Sequence, residues 1–313
     1  MTLTELRYIV AVAREKHFGR AAEKCFVSQP TLSVAIKKLE DELGVPLFER
    51  AAHEVRVTTT GARVIEQAQR VLEEAAAIKH IATAGKDELA EPLRFGAIYT
   101  VGPYVTPQLI PLLMKRAPQM PLLIQENYTA KLGEMLKNGG IDVILLSEPF
   151  TEPGIVTHAV YDEPFRVVMP INHAWAKKPH IAAADLCSEN LLLLSNGNCF
   201  RDQVLQTCAG AKRAVTAGLQ QSLEGSSLET IRQMVASGVG LTVLPATAAE
   251  SRAADTRLTA TKNFTAPEPV RRIAIAWRKS YPRPRAVQAL REALLACKLP
   301  GVTMLPQAQS VEN

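Results

Sequence analysis

The chain has 313 residues, too many for one ordinary domain, and its composition of 47% hydrophobic and 21% charged residues excludes wholesale disorder. Its 36 basic and 31 acidic residues leave a net charge of +5, a weak pointer to an anionic partner. No apolar run approaches the ~20 residues of a membrane-spanning helix, no charged and apolar leader is visible, and five irregularly spaced cysteines do not form a secreted disulfide framework, so a cytoplasmic protein is expected.

The first 58 residues predict short helices. One lies around residues 19–24, where Ala21 and Ala22 let another helix approach closely. The strongest runs over 28–43. Ser28 can cap its start, and Pro30 is tolerated in the first turn, where no intrahelical N–H is lost. Leu32, Ala35, Ile36, Leu39 and Leu43 repeat at helical spacing and should face a core, and Gly44 supplies a stop. Two helices joined by so short a turn make a helix-turn-helix candidate. Residues 55–58 alternate apolar and polar, as a short wing strand does.

Residues 61–84 contain no Pro and only Gly61 as a glycine. Val64, Ala68, Val71, Ala75, Ile78 and Ala82 step by alternating fours and threes, the seam of a coiled coil with a second copy. Gly85 should end this helix, and the polar stretch 86–92 reads as a hinge. The expected units are therefore a helix-turn-helix unit over 1–58, a linker helix and hinge over 59–91 that pairs with a second copy, and a larger unit over 92–313.

After Pro92, strand-like runs over 93–98, 122–126 and 142–146 alternate with helical stretches over 105–116 and 131–137, which predicts an α/β unit with a parallel sheet. A second set follows over 166–169, 191–195, 200–208, 227–237 and 241–244, and a strand over 270–277 closes the series. Two such sets predict two subdomains with a cleft between them.

The charge is unevenly placed. Residues 1–90 hold 13 basic and 13 acidic residues, so the whole excess lies beyond them. Residues 271–298 carry eight basic groups against Glu292 alone. Their strand and amphipathic-helix pattern predicts a solvated basic surface there rather than a nucleic-acid site.

On the 28–43 helix, the face opposite its core stripe presents Pro30, Ser33, Val34 and Lys37, flanked by Gln29, Thr31 and Lys38. Gln can bond adenine edges, Ser and Thr can bond bases or phosphates, and Thr or Val can touch a thymine methyl. Lys37, Lys38 and Arg50 would grip phosphates. An ordinary solvated helix face remains the alternative from these residues alone.

Phe18, Ala21-Ala22, the run Ser28-Gln29-Pro30-Thr31-Leu32-Ser33, Ile36, Leu39-Glu40, Leu43-Gly44, Leu47-Phe48, Arg50, Thr58 and Gly61 resemble the N-terminal signature of LysR-type transcriptional regulators. The resemblance implies a winged helix-turn-helix that binds DNA over 1–58, a dimerising linker helix, and a regulatory domain over 92–313 of two α/β subdomains of periplasmic-binding-protein-like type. It implies DNA contacts at Gln29, Pro30, Thr31, Ser33 and Arg50, on promoter sites with dyad symmetry. The sequence departs from the pattern at His53 and Glu54, where relatives often carry basic residues, and at Thr4.

Cys199 follows Asn198, a good helix cap, and precedes Arg201. A helix starting there would place Cys199 in its first turn, where the helix dipole and Arg201 favour a reactive thiolate. A thiolate can attack a peroxide to give a sulfenic acid, which a second thiol can condense to a disulfide. Cys208 lies nine residues on, about 13 Å along a helix, whereas a disulfide needs Cα atoms within about 7 Å, so any bond between the two requires refolding. Two passive buried cysteines remain the alternative.

Within the LysR-type frame, Cys199, Arg201-Asp202-Gln203 and Cys208, with stretches at residues 100–104, 227–230 and 240–245, resemble the family's peroxide-sensing members. That implies Cys199 as the peroxidatic and Cys208 as the resolving thiol, with Thr100 and Thr129 bonding hydrogen peroxide beside Asn198 and Arg201. Relatives often carry His at the Asn198 position. The resemblance further implies a homodimer or homotetramer, contact with RNA polymerase, and a glutaredoxin or thioredoxin as reductant. No cofactor, metal site or enzyme activity is expected, and Cys25, Cys187 and Cys297 are bystanders. The rival is a regulator of the same family that binds a small anionic metabolite in the inter-subdomain cleft. A thiol peroxidase is the other, and it leaves the 28–43 helix without a role.

Overall fold

The computed structural model describes residues 1–50, 55–82, 88–207, 224–251 and 257–305. Cys208, His53, Glu54 and the expected stop at Gly85 lie outside the described residues. No described helix is long and apolar enough to cross a membrane.

Three helices build the N-terminal unit: α1 (Leu3–Glu15), α2 (Phe18–Lys24) and α3 (Gln29–Leu43). A capping box starts α1, with the Thr2 side chain accepting from the Glu5 N–H and the Glu5 carboxylate accepting from the Thr2 N–H. Ser28 caps α3 as expected, accepting from the Thr31 N–H, and Gly44 ends it at φ +70°. Leu32, Ile36 and Leu39 are fully buried among Ile9, Val12, Ala21 and Leu47. Strands β1 (Phe48–Arg50) and β2 (Val55–Val57) pair antiparallel as the wing. The Phe18 and Phe48 rings meet edge to face, which fastens the wing to α2.

The linker helix α4 (Thr59–Ala82) divides the expected seam. Ile65 and Ala68 are buried in the chain's own N-terminal core, with Val64 and Leu72 packed against it. Farther along, Val71 is 37% and Ile78 67% exposed, and Ala75 is half-buried. The stripe thus serves α1 first and is free for a second copy only in its later turns.

Beyond the hinge, β3 (Leu93–Ile98) pairs parallel with β4 (Leu122–Asn127) and β5 (Val143–Ser147). Helices α5 (Gly102–Arg116) and α6 (Thr129–Lys137) cover this sheet. The expected parallel sheet is in fact mixed. Strand β12 (Val270–Arg278) runs antiparallel to β5 and to β6 (Ile155–Pro170). Strand β6 is 16 residues long, where the sequence pattern suggested only 166–169. Its first part pairs with β12 in subdomain I. Its last part pairs with β10 (Leu241–Pro245) and β11 (Thr259–Phe264) in subdomain II. One strand therefore crosses between two separate cores. Its first residues are only half-buried, so no clean apolar period marks them.

The basic C-terminal segment is not merely a solvated surface. Arg271, Arg278 and Arg283 are only 3%, 6% and 5% exposed. Burial is set by strands that are distant in sequence, so local charge density could not reveal it.

Replacing Ile36 by Ala should cost the N-terminal unit about 2–5 kcal/mol, and Ser28→Ala about 1 kcal/mol. Thermal unfolding followed by circular dichroism should show an early transition for the N-terminal unit, while the regulatory unit melts unchanged.

Candidate functional site

The exposed face of α3 carries the predicted DNA contacts. Gln29, Pro30, Thr31 and Lys37 are exposed, and Ser33 is half-buried beneath them. Val34 is 69% exposed, which leaves an apolar group on a polar face. Thr31 Oγ1 lies 2.7 Å from Ser28 Oγ, and Lys37 pairs with Asp41 one turn on at 2.9 Å. The wing is held to α3 by Glu40, whose carboxylate accepts from the N–H groups of Leu47 and Phe48 at 2.6 and 3.2 Å. Arg50, opposite Val55 in the wing, follows directly.

The second site lies where β6 crosses between the subdomains, paired with the start of β12. Glu163 on β6 and Arg271 on β12 have fully buried side chains and pair at 2.8 Å. Arg271 Nη1 donates to Thr100 Oγ1 at 2.8 Å and Nη2 to the Thr100 carbonyl at 3.0 Å. The other Glu163 oxygen accepts from the Thr247 N–H at 2.9 Å and from the Thr247 hydroxyl. This small network joins the loop after β3 to both strands and to the turn after β10. Tyr104 adds a bridge, donating its hydroxyl to Glu229 at 2.9 Å. Burial and the neighbouring Glu229 carboxylate push the Tyr104 phenol well above its ordinary pKa, so it stays a donor.

Cys199 opens α7 (Cys199–Thr207) beside this network. It is half-buried and packs against the subdomain I core. The next residue, Phe200, stacks edge to face with Phe165 and lies 5.0 Å beneath the Arg271 guanidinium. The turn before the thiol, at Gly197, lies against the Tyr128 ring. Tyr128 is the cap residue of α6, which begins at Thr129. The Thr129 hydroxyl is buried and has no hydrogen-bond partner among the described residues.

Two expected neighbours of the thiol are placed differently. Asn198 is buried, but its side-chain amide donates back to the Ser195 carbonyl at 2.9 Å, and its carbonyl takes the first helical bond, from Arg201 N–H. Arg201 donates to the Leu194 carbonyl at 2.6 Å and pairs with Glu224 at 2.8 Å. Its charge is neutralised within subdomain II, because i+2 on a helix points away from residue i.

Gln203 shares the Cys199 face, one turn on. Its amide donates to the Ser147 hydroxyl at 2.8 Å, while its carbonyl oxygen is buried without a partner among the described residues. Gln203 entered the sequence reading only within the Arg201-Asp202-Gln203 run, without a role of its own, and Arg271 and Glu163 were not read as site residues. The i+4 spacing signals Gln203. For Arg271 the signal is strand parity, which sets Arg271 with Ile273 inward and Arg272 outward.

Comparison with known proteins fixes the class. Residues 3–62 match the bacterial regulatory helix-turn-helix protein, lysR family, and residues 86–297 match the LysR substrate binding domain. The chain belongs to the LysR family of bacterial regulators. Its relatives within that family include OxyR proteins. It is 38% identical over 301 residues to the DNA-binding transcriptional dual regulator OxyR of Escherichia coli K12, with 95% of each chain covered. Full-length OxyR from Pseudomonas aeruginosa, solved as a Cys-to-Asp variant, matches with a TM-score of 0.85 at 50% identity, over 98% of this chain and 99% of that one. A hydrogen-peroxide-bound OxyR mutant from Corynebacterium glutamicum matches with a TM-score of 0.62 at 32% identity, over 94% and 91% of the two chains.

Replacing Arg271 by Leu should strand a buried Glu163 charge and cost roughly 3–5 kcal/mol. Denaturant unfolding of the regulatory unit measures it, and Arg272→Leu, at an exposed pair with Asp162, should cost under about 1 kcal/mol.

Proposed function

We propose that this chain is an OxyR-type, peroxide-responsive transcriptional regulator switched by oxidation of Cys199. The observation that carries the proposal is the half-buried Cys199 at the start of α7, whose neighbour Phe200 lies under the Arg271 guanidinium that holds Thr100; the Thr129 hydroxyl is buried with no partner among the described residues. The Cys199 thiolate attacks one oxygen of hydrogen peroxide. The O–O bond breaks, Cys199 becomes a sulfenic acid, and the second oxygen leaves as hydroxide, which takes a proton to become water. Thr129 can donate to the leaving oxygen. Thr100 accepts from Arg271, so its own proton remains to be donated. The Cys208 thiol then attacks the sulfenic sulfur, forming a disulfide and releasing water. A dithiol reductant of the glutaredoxin or thioredoxin type resets it by exchange.

The helical segment gives the disulfide its consequence. Residues 199–207 form continuous helix, about 12 Å of axial rise between its first and last residues, beyond the roughly 7 Å Cα separation that a disulfide allows. Bond formation must dismantle α7, including the Gln203–Ser147 and Arg201–Leu194 contacts. That refolding would change how copies pair. Exposed Val71 and Ile78 on α4, and Ile110, Met114, Leu123 and Ile124 on α5 and the β4 edge, suit association into a homodimer or homotetramer on dyad-symmetric DNA. RNA polymerase is the partner that activation would require.

The anionic-metabolite alternative is disfavoured. Arg271, the buried cation at the crossover, is already neutralised by Glu163 and is not available to a ligand carboxylate.

Mass mapping under non-reducing conditions after peroxide treatment should show a Cys199–Cys208 linkage, absent in Cys199→Ser; a peroxide response retained in Cys199→Ser would contradict the proposal. Thr129→Val should slow Cys199 oxidation by roughly tenfold, the loss of about one hydrogen bond, in stopped-flow kinetics. Ser33→Ala with Arg50→Ala should weaken promoter binding in gel-shift assays without changing thiol chemistry.

A further inference from the structure

The linker helix is joined to the sensor by a buried ion pair. The Glu73 side chain on α4 and the Arg278 side chain at the end of β12 are each 7% exposed. Arg278 Nε donates to Glu73, the Ser280 hydroxyl donates to the other Glu73 oxygen, and the Gln69 amide donates to Glu73 at 2.9 Å. On its far side, Arg278 Nη1 donates to the carbonyls of Leu136 and Ile141, the latter at 2.7 Å. Both charges are therefore well satisfied in a joint largely withdrawn from solvent.

Stability alone does not account for such a pair. Well-packed apolar side chains would hold the helix equally well, whereas a buried ion pair with directional bonds selects one register and one orientation. The receiving surface is shaped for the same helix turn. Gly139 and Gly154 have φ of +63° and +75°, and a Cβ there would approach Gln69 and Arg70 to 2.5 and 2.8 Å. The other contacts between the N-terminal unit and subdomain I are exposed. Arg14 donates to the Asn138 carbonyl at 2.6 Å, and Lys16 pairs with Glu134 at 3.3 Å. Exposed pairs of this kind contribute little.

Strand β12 carries Arg271 at the thiol site and Arg278 at the linker helix. These are the two ends of one element, seven residues or about 23 Å apart. We propose that the Glu73–Arg278 pair is the positioning contact that ties the orientation of the linker helix, and with it the DNA-reading heads, to subdomain I. This goes beyond the peroxide-switch proposal and rests on it only for what moves the sensor. Without the pair, the head would follow the sensor through the hinge and the exposed Arg14 and Lys16 contacts.

The test uses full-length wild type, Glu73→Gln and the milder Ser280→Ala. Hydrogen exchange without DNA should rise about tenfold over residues 66–82 in Glu73→Gln and less in Ser280→Ala. Operator footprints taken before and after peroxide should differ in wild type and coincide in Glu73→Gln, while mass-mapped Cys199 oxidation proceeds at the wild-type rate. Unchanged exchange in both variants, or a wild-type footprint shift in a variant whose linker has loosened, would overturn the proposal. A wild-type Cys199 that resists peroxide would instead count against the switch, and the exchange result would still decide the contact.

Discussion

The buried Arg271–Glu163 pair is the constraint on which the regulatory unit depends. Strand β6 crosses between the subdomains at that point, paired with the start of β12, and both charges are withdrawn from water. Such a pair is tolerable only when every remaining donor and acceptor is satisfied. Thr100 and Thr247 satisfy much of it, which obliges the β3 loop and the turn after β10 to meet at the crossover. The same guanidinium covers Phe200 and so fixes the start of α7. The position of Cys199 thus follows from an electrostatic requirement made elsewhere.

That arrangement also limits what the site can sense. Its Arg271 cation is spent, and among the described residues its buried unpartnered groups are the Thr129 hydroxyl and the Gln203 carbonyl oxygen. A small uncharged molecule with both donor and acceptor character suits such a site better than a carboxylate does. In the proposed switch the response is stored in α7, a nine-residue helix whose Phe200, Arg201 and Val204 are buried. A covalent bond that can form only after the helix opens converts local chemistry into a change of shape.

How much was legible in the sequence follows from which forces are local. The capped helix α3, its core stripe and its polar face were readable because cap, period and stop all lie within 17 residues. The thiol was readable from a helix-start pattern and from resemblance. Arg271 was not, since its burial comes from pairing with a strand more than 100 residues away, and its neighbours in sequence suggested a solvated basic patch. The linker stripe was half legible. Its period predicted an apolar seam, but the period cannot say that Ala68 packs on the chain's own α1 while Ile78 is left exposed. Arg201 looked like a partner of the thiol because it is near in sequence, yet helix geometry turns it toward Glu224. The opening charge arithmetic is likewise refined: part of the C-terminal excess is structural, buried in ion pairs.

The proposed switch requires that closing a Cys199–Cys208 disulfide dismantle α7. Hydrogen exchange of residues 199–207, followed before and after one equivalent of peroxide, tests it most directly. Protection should be lost in wild type and retained in Cys208→Ser, where the sulfenic acid forms but cannot be resolved. Retained protection in wild type whose Cys199–Cys208 disulfide has been verified by mass would contradict the account.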